Sequence, residues 1–296
     1  MRKILRFLAW TRKHGFINLS YRIMNNRMFD THLLEDFPVK NSSITDSAEL
    51  ASYPSLCGSA ARETEIFKRF RSSRIMVEAL DHVSIDQGKD YISEILKNRS
   101  WLEDFTKVLL HIDSLGKPRK YRFAPYGTFS PTLLRYLKVY VEIESQFGSL
   151  TDLDVVEIGI GFGGQSSLIG MLDKPASYTF YDIPPVLELT QRFVSELNIP
   201  GEFKYIDGRN PIELNSDLVI SNYAFSELSL DLQNEYLSKV ILKSPRGYIT
   251  WNSLSAEQLG GHSLADLVRL IPNSQLLPEQ PRTSKNNAII IWGAKK

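Results

Sequence analysis

Glycines at 159, 161, 163 and 164 stand where an apolar, β-branched run (Asp154 to Ile160) hands over to a helical stretch (Gly164 to Leu172). Gly159, Gly161 and Gly164 satisfy a G-x-G-x-x-G spacing, in which glycines let the backbone turn sharply and approach a ligand at a helix N-terminus. A glycine cluster alone can be no more than a tight turn, but here a strand precedes it and a helix follows, as a nucleotide-binding loop requires. Further short apolar runs follow at Tyr178 to Ile183, Glu202 to Ile206, Asp217 to Ser221 and Gly247 to Trp251. Helical stretches at Val186 to Leu197, Leu230 to Leu242 and Ser263 to Leu270 lie between or after them. The alternation predicts right-handed βαβ units on a parallel sheet covered on both faces. Gln275 to Glu279 and Ala288 to Trp292 read as strands with no helix between them, which predicts a terminal antiparallel hairpin.

Ahead of this region the pattern is mainly helical. Ala61 to Leu80 and Tyr91 to Leu110 carry apolar residues at helical spacing, and Asn41 to Ser47 has turn composition. Gly116 to Pro131 collects glycines, prolines and the basic residues Lys117, Arg119, Lys120 and Arg122, and reads as an irregular connection. Ser130-Pro131 is a cap followed by a first-turn proline, so a helix is expected from Pro131 to about Phe147. The expected division is a helical region 1–120, forming part of a substrate pocket or an oligomer contact, and a ligand-binding domain 121–296.

Composition narrows the class. With 43% hydrophobic and 23% charged residues the chain has the usage of a soluble globular protein. Its 35 basic and 34 acidic residues leave a net charge of +1, so no global field draws in nucleic acid, and the basic stretch at 117–122 is short. A single cysteine, Cys57, excludes a disulfide within the chain and a cysteine zinc cluster, and suits a cytoplasmic setting. No H-E-x-x-H or paired-histidine spacing points to a metal. From Met1 to Phe29 seven basic residues meet no carboxylate, while Ile4, Leu5, Phe7, Leu8 and Trp10 supply apolar surface. Two readings stand for that segment: packing on the protein itself, or contact with an anionic membrane surface at the inner face.

The ligand at the glycine loop is nucleotide-like, and two cofactors suit it: a nicotinamide dinucleotide and S-adenosylmethionine. Asp182, ending the second run, can accept both ribose hydroxyls, because a doubly wound sheet sets its first two strand ends side by side. Glu157, two residues before the first glycine, would repel a pyrophosphate but can help hold a sulfonium or an amino group. Asp207, ending the third run, offers an acceptor to an adenine amine. No second domain for a hydride acceptor is evident. These points favour S-adenosylmethionine over NAD(P). Asn222, at the end of the fourth run, can hydrogen-bond the methionine moiety.

The segments Ser130 to Tyr136, Glu157 to Gln165, Tyr181 to Leu189, Ser221 to Leu228 and Gly247 to Asn252 closely resemble the sugar O-methyltransferases. These are class I S-adenosylmethionine enzymes associated with polysaccharide and surface-glycan assembly. The resemblance covers Tyr121 to the C-terminus well and the earlier helical part more loosely. It implies a Rossmann-like α/β methyltransferase sheet with a terminal antiparallel hairpin, preceded by a mainly α-helical region. It also implies a sugar or glycan acceptor, whether free, nucleotide-linked or lipid-linked, and contact of Tyr126 and Arg135 with cofactor or substrate. Gly159, Gly161 and Gly163 would cradle the cofactor.

A sugar hydroxyl is a poor nucleophile and benefits from a general base. His14, His32, His82 and His111 precede the glycine loop; His262 alone lies in the βα half, in a glycine-loosened loop after the fifth run. Glu227, in the loop after the fourth run, is its rival, at a position that faces the methyl group in class I enzymes. Two other readings remain at this stage. One is an NAD(P)-dependent oxidoreductase using the same loop, and the other a non-catalytic cofactor-binding assembly subunit; for the methyltransferase, a homo-oligomer joined through the helical region is an open expectation.

Overall fold

In chain order, α1 (Tyr53–Arg62), α2 (Thr64–Phe67), α3 (Arg74–Ala79), α4 (Ile85–Asn98) and α5 (Glu103–Ile112) lead to a small antiparallel pair. This pair is β1 (Tyr121–Phe123) and β2 (Gly127–Phe129), and α6 (Pro131–Phe147) follows it. The structure, a computed structural model, describes residues 52–294. The basic segment 1–29, the turn at 41–47, His14 and His32 lie outside the described residues.

The alternating half then runs β3 (Asp154–Ile158), α7 (Gly164–Leu172), β4 (Ser177–Asp182), α8 (Pro184–Glu196), β5 (Glu202–Asp207) and β6 (Leu218–Asn222). It continues with α9 (Leu230–Lys239), β7 (Gly247–Trp251), α10 (Ser253–Leu259), α11 (Leu264–Leu270), β8 (Gln275–Pro278) and β9 (Ala288–Trp292). The sheet order is β5-β4-β3-β6-β7-β9-β8, and β3 to β7 are parallel. β9 inserts antiparallel between β7 and β8. The chain reverses its winding direction between β3 and β6, and ligands bind at such a switch, beyond the carboxyl ends of the strands.

Strand alternation sends successive side chains to opposite faces. Val155 joins a cluster with α6, α7, α8 and the helices α1 to α5, whereas Val156 and Ile158 join Tyr236, Leu237, Trp251 and Leu267 on the other face. Leu56, Phe70 and Ile95 share the first cluster with Leu133, Phe162 and Phe193, so the early helices pack directly on the cofactor-loop side of the sheet.

Several expected boundaries shift. The stretch Ala61 to Leu80 is broken, because the Ser73 side chain accepts a hydrogen bond from Met76 N and so caps a new helix after a 3-10 turn at Phe70–Ser72. The connection at Gly116 to Pro131 holds the pair β1 and β2. β3 ends at Ile158, because Gly159 takes φ 77° and leaves the strand. α10 was not anticipated. Among the described residues no helix is long and apolar enough to cross a membrane.

A buried ion network ties the early helices together. Arg71, fully buried, donates to Asp81 at 3.0 Å, to Asp113 at 3.0 Å and to Ser130 Oγ at 3.0 Å. Asp113 also accepts from Ser130 N and Oγ. The guanidinium lies 4.6 Å from the ring centroid of Phe162, inside the glycine loop. Burial raises the Asp113 carboxyl even with Arg71 beside it.

Candidate active site

The strand ends of β3, β4 and β6 open into one cleft of about 1210 Å³, continuous with solvent at its mouth. Its floor is the glycine loop. Gly159 at φ 77° and Gly161 at φ 57° occupy left-handed backbone. A Cβ on Gly159 would stand 1.9 Å from Ala224 Cβ, and one on Gly161 would meet Leu80 Cδ1 at 2.8 Å. Both positions therefore need glycine for conformation and for space.

Three carboxyl groups face this cleft. Asp182 accepts from Ile160 N at 2.9 Å through Oδ2 and from Ile183 N at 2.8 Å through Oδ1, which fixes it against the loop. Burial pushes it up to about 6, while the backbone N–H groups of Ile183, Ile160 and Gly161 oppose that rise. Glu157 accepts from Tyr178 Oη at 2.8 Å and is only 2% exposed; burial pushes it up to about 8. Glu227, in the 3-10 turn Ala224–Glu227, is pushed up to about 8 by burial and then by the charge of Asp182. Loss of water disfavours each charged form, and at Glu157 and Glu227 the charge of Asp182 adds to it.

Two amides at the cleft have an open hydrogen-bonding atom. Asn222 Oδ1 accepts from Thr250 Oγ1 at 3.3 Å, but its buried Nδ2 has no partner. Gln165 Nε2 donates to Tyr136 O at 3.2 Å, while its buried Oε1 has none. Buried polar atoms are rarely left so, and a donor and an acceptor at a cavity wall suit a polar ligand. The turn carrying Glu227 is held firmly. Ser221 Oγ accepts from Phe225 N, Ser226 Oγ donates to Tyr223 O, and Gln233 Nε2 donates to the carbonyls of Phe225 and Leu228. Tyr223 sits at φ 68°, with its hydroxyl donating to the buried Glu279.

The helical part closes the opposite side. Tyr53, Leu80 and His82 line the cleft with Arg135 and Tyr136 of α6. Arg135 donates to Leu80 O at 3.3 Å, and its guanidinium lies 5.5 Å from the Tyr136 ring and 5.9 Å from that of Tyr223.

Of the residues expected at the site, Glu157, Gly159, Gly161, Asp182, Asn222, Arg135 and Glu227 come together here. Gly163, Asp207, Tyr126 and His262 do not line the cleft. Gly163 caps α7 against Thr190. Asp207 is held by Arg209 at 2.6 Å, although Gly208 beside it lines the cleft. Tyr126 packs on Trp101 with ring centroids 4.7 Å apart. His262 Nε2 lies 2.7 Å from Asn234 Oδ1, and its N–H donates to Gln233 Oε1. Tyr53, His82 and Tyr136 were missed, because tertiary packing brings them to the strand ends; Tyr223 was missed although it directly follows Asn222 at the end of β6. Among the described residues no group of three or more His, Cys, Asp or Glu side chains is placed to hold a metal ion.

Sheet order, inserted hairpin and glycine loop together define a Rossmann-like α/β fold with a mostly parallel sheet. The chain is similar in structure to the mitomycin 7-O-methyltransferase MmcR, with 14% identity and a TM-score of 0.41, over 83% of this chain and 61% of that one. It is also similar to a SAM-dependent methyltransferase from Aquifex aeolicus, with 14% identity and a TM-score of 0.39, over 53% of this chain and 88% of the other. The bifunctional kinase-methyltransferase WbdD matches with 13% identity and a TM-score of 0.39, over 47% of this chain and 34% of WbdD. No protein-family profile matches the sequence, and no curated protein does.

Proposed function

We propose that this chain is an S-adenosylmethionine-dependent O-methyltransferase whose acceptor is a sugar hydroxyl. The observation that carries the cofactor is the convergence of Glu157, Asp182 and Glu227 on one buried cleft at the glycine loop. A ligand bearing a sulfonium and an ammonium relieves their mutual repulsion, whereas a pyrophosphate would add negative charge to it. Asp182 would meet the ribose, Glu157 the cationic end, and Asn222 and Gln165 the open polar groups. When bound, the cofactor supplies an electrophilic methyl group on sulfur. The protein's part is alignment and exclusion of water.

The acceptor class rests on the resemblance of Ser130 to Tyr136 and of Tyr181 to Leu189 to sugar O-methyltransferases. Arg135 and Tyr136 of the first segment stand at the cleft wall facing the carboxylates. Glu227 faces the same space and can either hold the cationic end or take a proton from the acceptor. A glycan or a sugar carried on a nucleotide or lipid would enter from the solvent-open mouth.

Thermal shift with S-adenosylhomocysteine, NAD and NADP tests the cofactor. Saturating S-adenosylhomocysteine raises the melting temperature, as any ligand bound to the native state alone does, and NAD and NADP leave it unchanged. A rise with NAD and none with S-adenosylhomocysteine refutes the proposal. Methyl label from S-adenosylmethionine recovered on the oxygen of a sugar tests the acceptor, and its recovery only on nitrogen or on a sugar-free oxygen refutes that part.

A further inference from the structure

Tyr223 carries the chain from β6 over the glycine loop, and it does so with φ 68° and ψ −33°. A residue with a side chain adopts that conformation only where its surroundings impose it, and such positions gather at functional sites. Asn222 before it and Ala224 after it both line the cleft, and Ala224 is the residue that a Cβ on Gly159 would strike. The left-handed bend therefore lays the turn that bears Glu227 across the first glycine of the loop.

Main-chain contacts hold part of this bend. Tyr223 N donates to Thr250 O at 2.9 Å, and Tyr223 O accepts from Ser226 N at 3.1 Å and from Ser226 Oγ. The side chain supplies an anchor of longer reach. Its hydroxyl donates to Oε1 of Glu279, which follows the last residue of β8 and does not line the cleft. Glu279 is buried, and its oxygens also accept from Thr283 N at 3.0 Å and from Thr283 Oγ1 at 2.7 Å. Asn287 Nδ2 donates to Thr283 Oγ1 at 2.9 Å, and Asn287 Oδ1 accepts from Ser253 N at 3.2 Å. One polar network thus joins the loop between β8 and β9, the start of α10 and the bend after β6. A carboxylate in a hairpin loop ordinarily turns to water, and burying it is costly unless it is hydrogen-bonded throughout. Here the buried carboxylate and the strained tyrosine hold each other in place.

Resting on the methyltransferase reading above, we propose that Glu279 is a positioning residue for S-adenosylmethionine: through the Tyr223 hydroxyl it holds the bend that sets Asn222, Ala224 and Glu227 around the cofactor. Without an acceptor at 279 the Tyr223 hydroxyl loses its buried partner, and the residue can relax toward negative φ. Ala224 is then drawn off Gly159, and the polar groups at 222 and 227 lose their register with the glycine loop. A binding constellation depends on such support, because its members must be held within a fraction of an ångström. The hairpin that extends the sheet beyond β7 therefore serves the site although Glu279 stands outside the cleft.

The test uses the full chain and calorimetry with S-adenosylhomocysteine. No heat with it or with S-adenosylmethionine in the unaltered protein overturns the methyltransferase reading, and this inference falls with it. Once the unaltered protein binds, the variants test the inference alone. Glu279→Met removes the acceptor at similar size and is expected to weaken binding by about tenfold, and Tyr223→Phe by a similar factor. In the double variant the loss should stay near tenfold and not multiply toward about 100-fold, because both changes cut one contact. Glu279→Gln keeps an oxygen for the Tyr223 hydroxyl and should restore affinity to within about threefold of the unaltered protein. Circular dichroism confirms that each variant is folded. A merely structural Glu279 would lower the melting temperature of Glu279→Met and leave the affinity of the folded protein within about twofold; that result overturns the inference, as do losses that multiply. Should Glu279→Met not fold, the other two single variants decide. A tenfold loss in Tyr223→Phe with affinity kept in Glu279→Gln supports the inference, and unchanged affinity in Tyr223→Phe overturns it.

Discussion

Replacing Arg71 by Met tests how the early helices are joined to the cofactor loop. The guanidinium is fully buried and serves Asp81, Asp113 and Ser130 together, with Asp81 and Asp113 side chains 6% and 0% exposed. Methionine fills much of the volume but leaves two buried carboxyl groups without their cation. Removing one partner of a buried pair costs about 3–5 kcal/mol, far more than the net worth of the pair itself. With a urea m-value of about 3 kcal/mol/M, the midpoint should fall by roughly 1–2 M.

Protonation gives the loss a sign in pH. Burial already holds the Asp113 carboxyl above its ordinary value, and without Arg71 it rises further. The native variant then binds more protons than the unfolded chain between the unfolded and folded values. Its stability therefore falls as pH rises through that window and recovers as pH drops toward the ordinary carboxylate range. Urea denaturation followed by circular dichroism at pH 7.5 and pH 5 reads both effects. A midpoint loss under 0.3 M at pH 7.5, equivalent to under about 1 kcal/mol, refutes the argument that the network holds the helices in place. So does a loss that grows on acidification.

Gly159→Ala puts a methyl group into Ala224 at φ 77°, so S-adenosylhomocysteine affinity should fall by about 100-fold or more by calorimetry while circular dichroism stays native. A cation in the cleft favours the ionised forms of Asp182, at about 6, and of Glu157 and Glu227, at about 8. S-adenosylmethionine affinity should therefore rise from pH 6 to 8, with protons released on binding and a steeper rise than for the uncharged-sulfur product; calorimetry in two buffers of different ionisation heat measures it. His262→Ala is expected to leave cofactor affinity and label transfer within about twofold, because its ring is engaged with Asn234 outside the cleft. Ser84→Ala removes half of a reciprocal cap and should cost about 1 kcal/mol in urea denaturation.

The parallel half was legible because its signals are local. The β-branched content of Asp154 to Ile158, the glycine turn and the prolines at 184 and 185 each act within a few residues. The inserted β9 could be expected only as a hairpin, since its neighbours are set by sheet register and not by spacing. At the site, Glu157, Gly159, Asp182 and Asn222 are strand-end residues, and strand ends follow from the alternation. His82 and Tyr53 are not. Nothing in the residues around them reports the long-range packing of α1 and α3 against the glycine loop. Asp207 read as an adenine acceptor because it ends β5, but Arg209, two residues on, turns its carboxylate aside. His262 was singled out by its position after the fifth strand, and that loop is instead drawn to α9 through Gln233.

The Arg71 cluster has a consequence for the order in which the protein can be made. Its members are residues 71, 81, 113 and 130, and its aromatic neighbour is Phe162. During synthesis the guanidinium emerges ahead of Asp81 and Asp113, its ion-pair partners, and well ahead of Ser130 and Phe162. The cluster is complete only once β3 and the glycine turn that carries Phe162 have been synthesised, so its last neighbour comes from the alternating half of the chain.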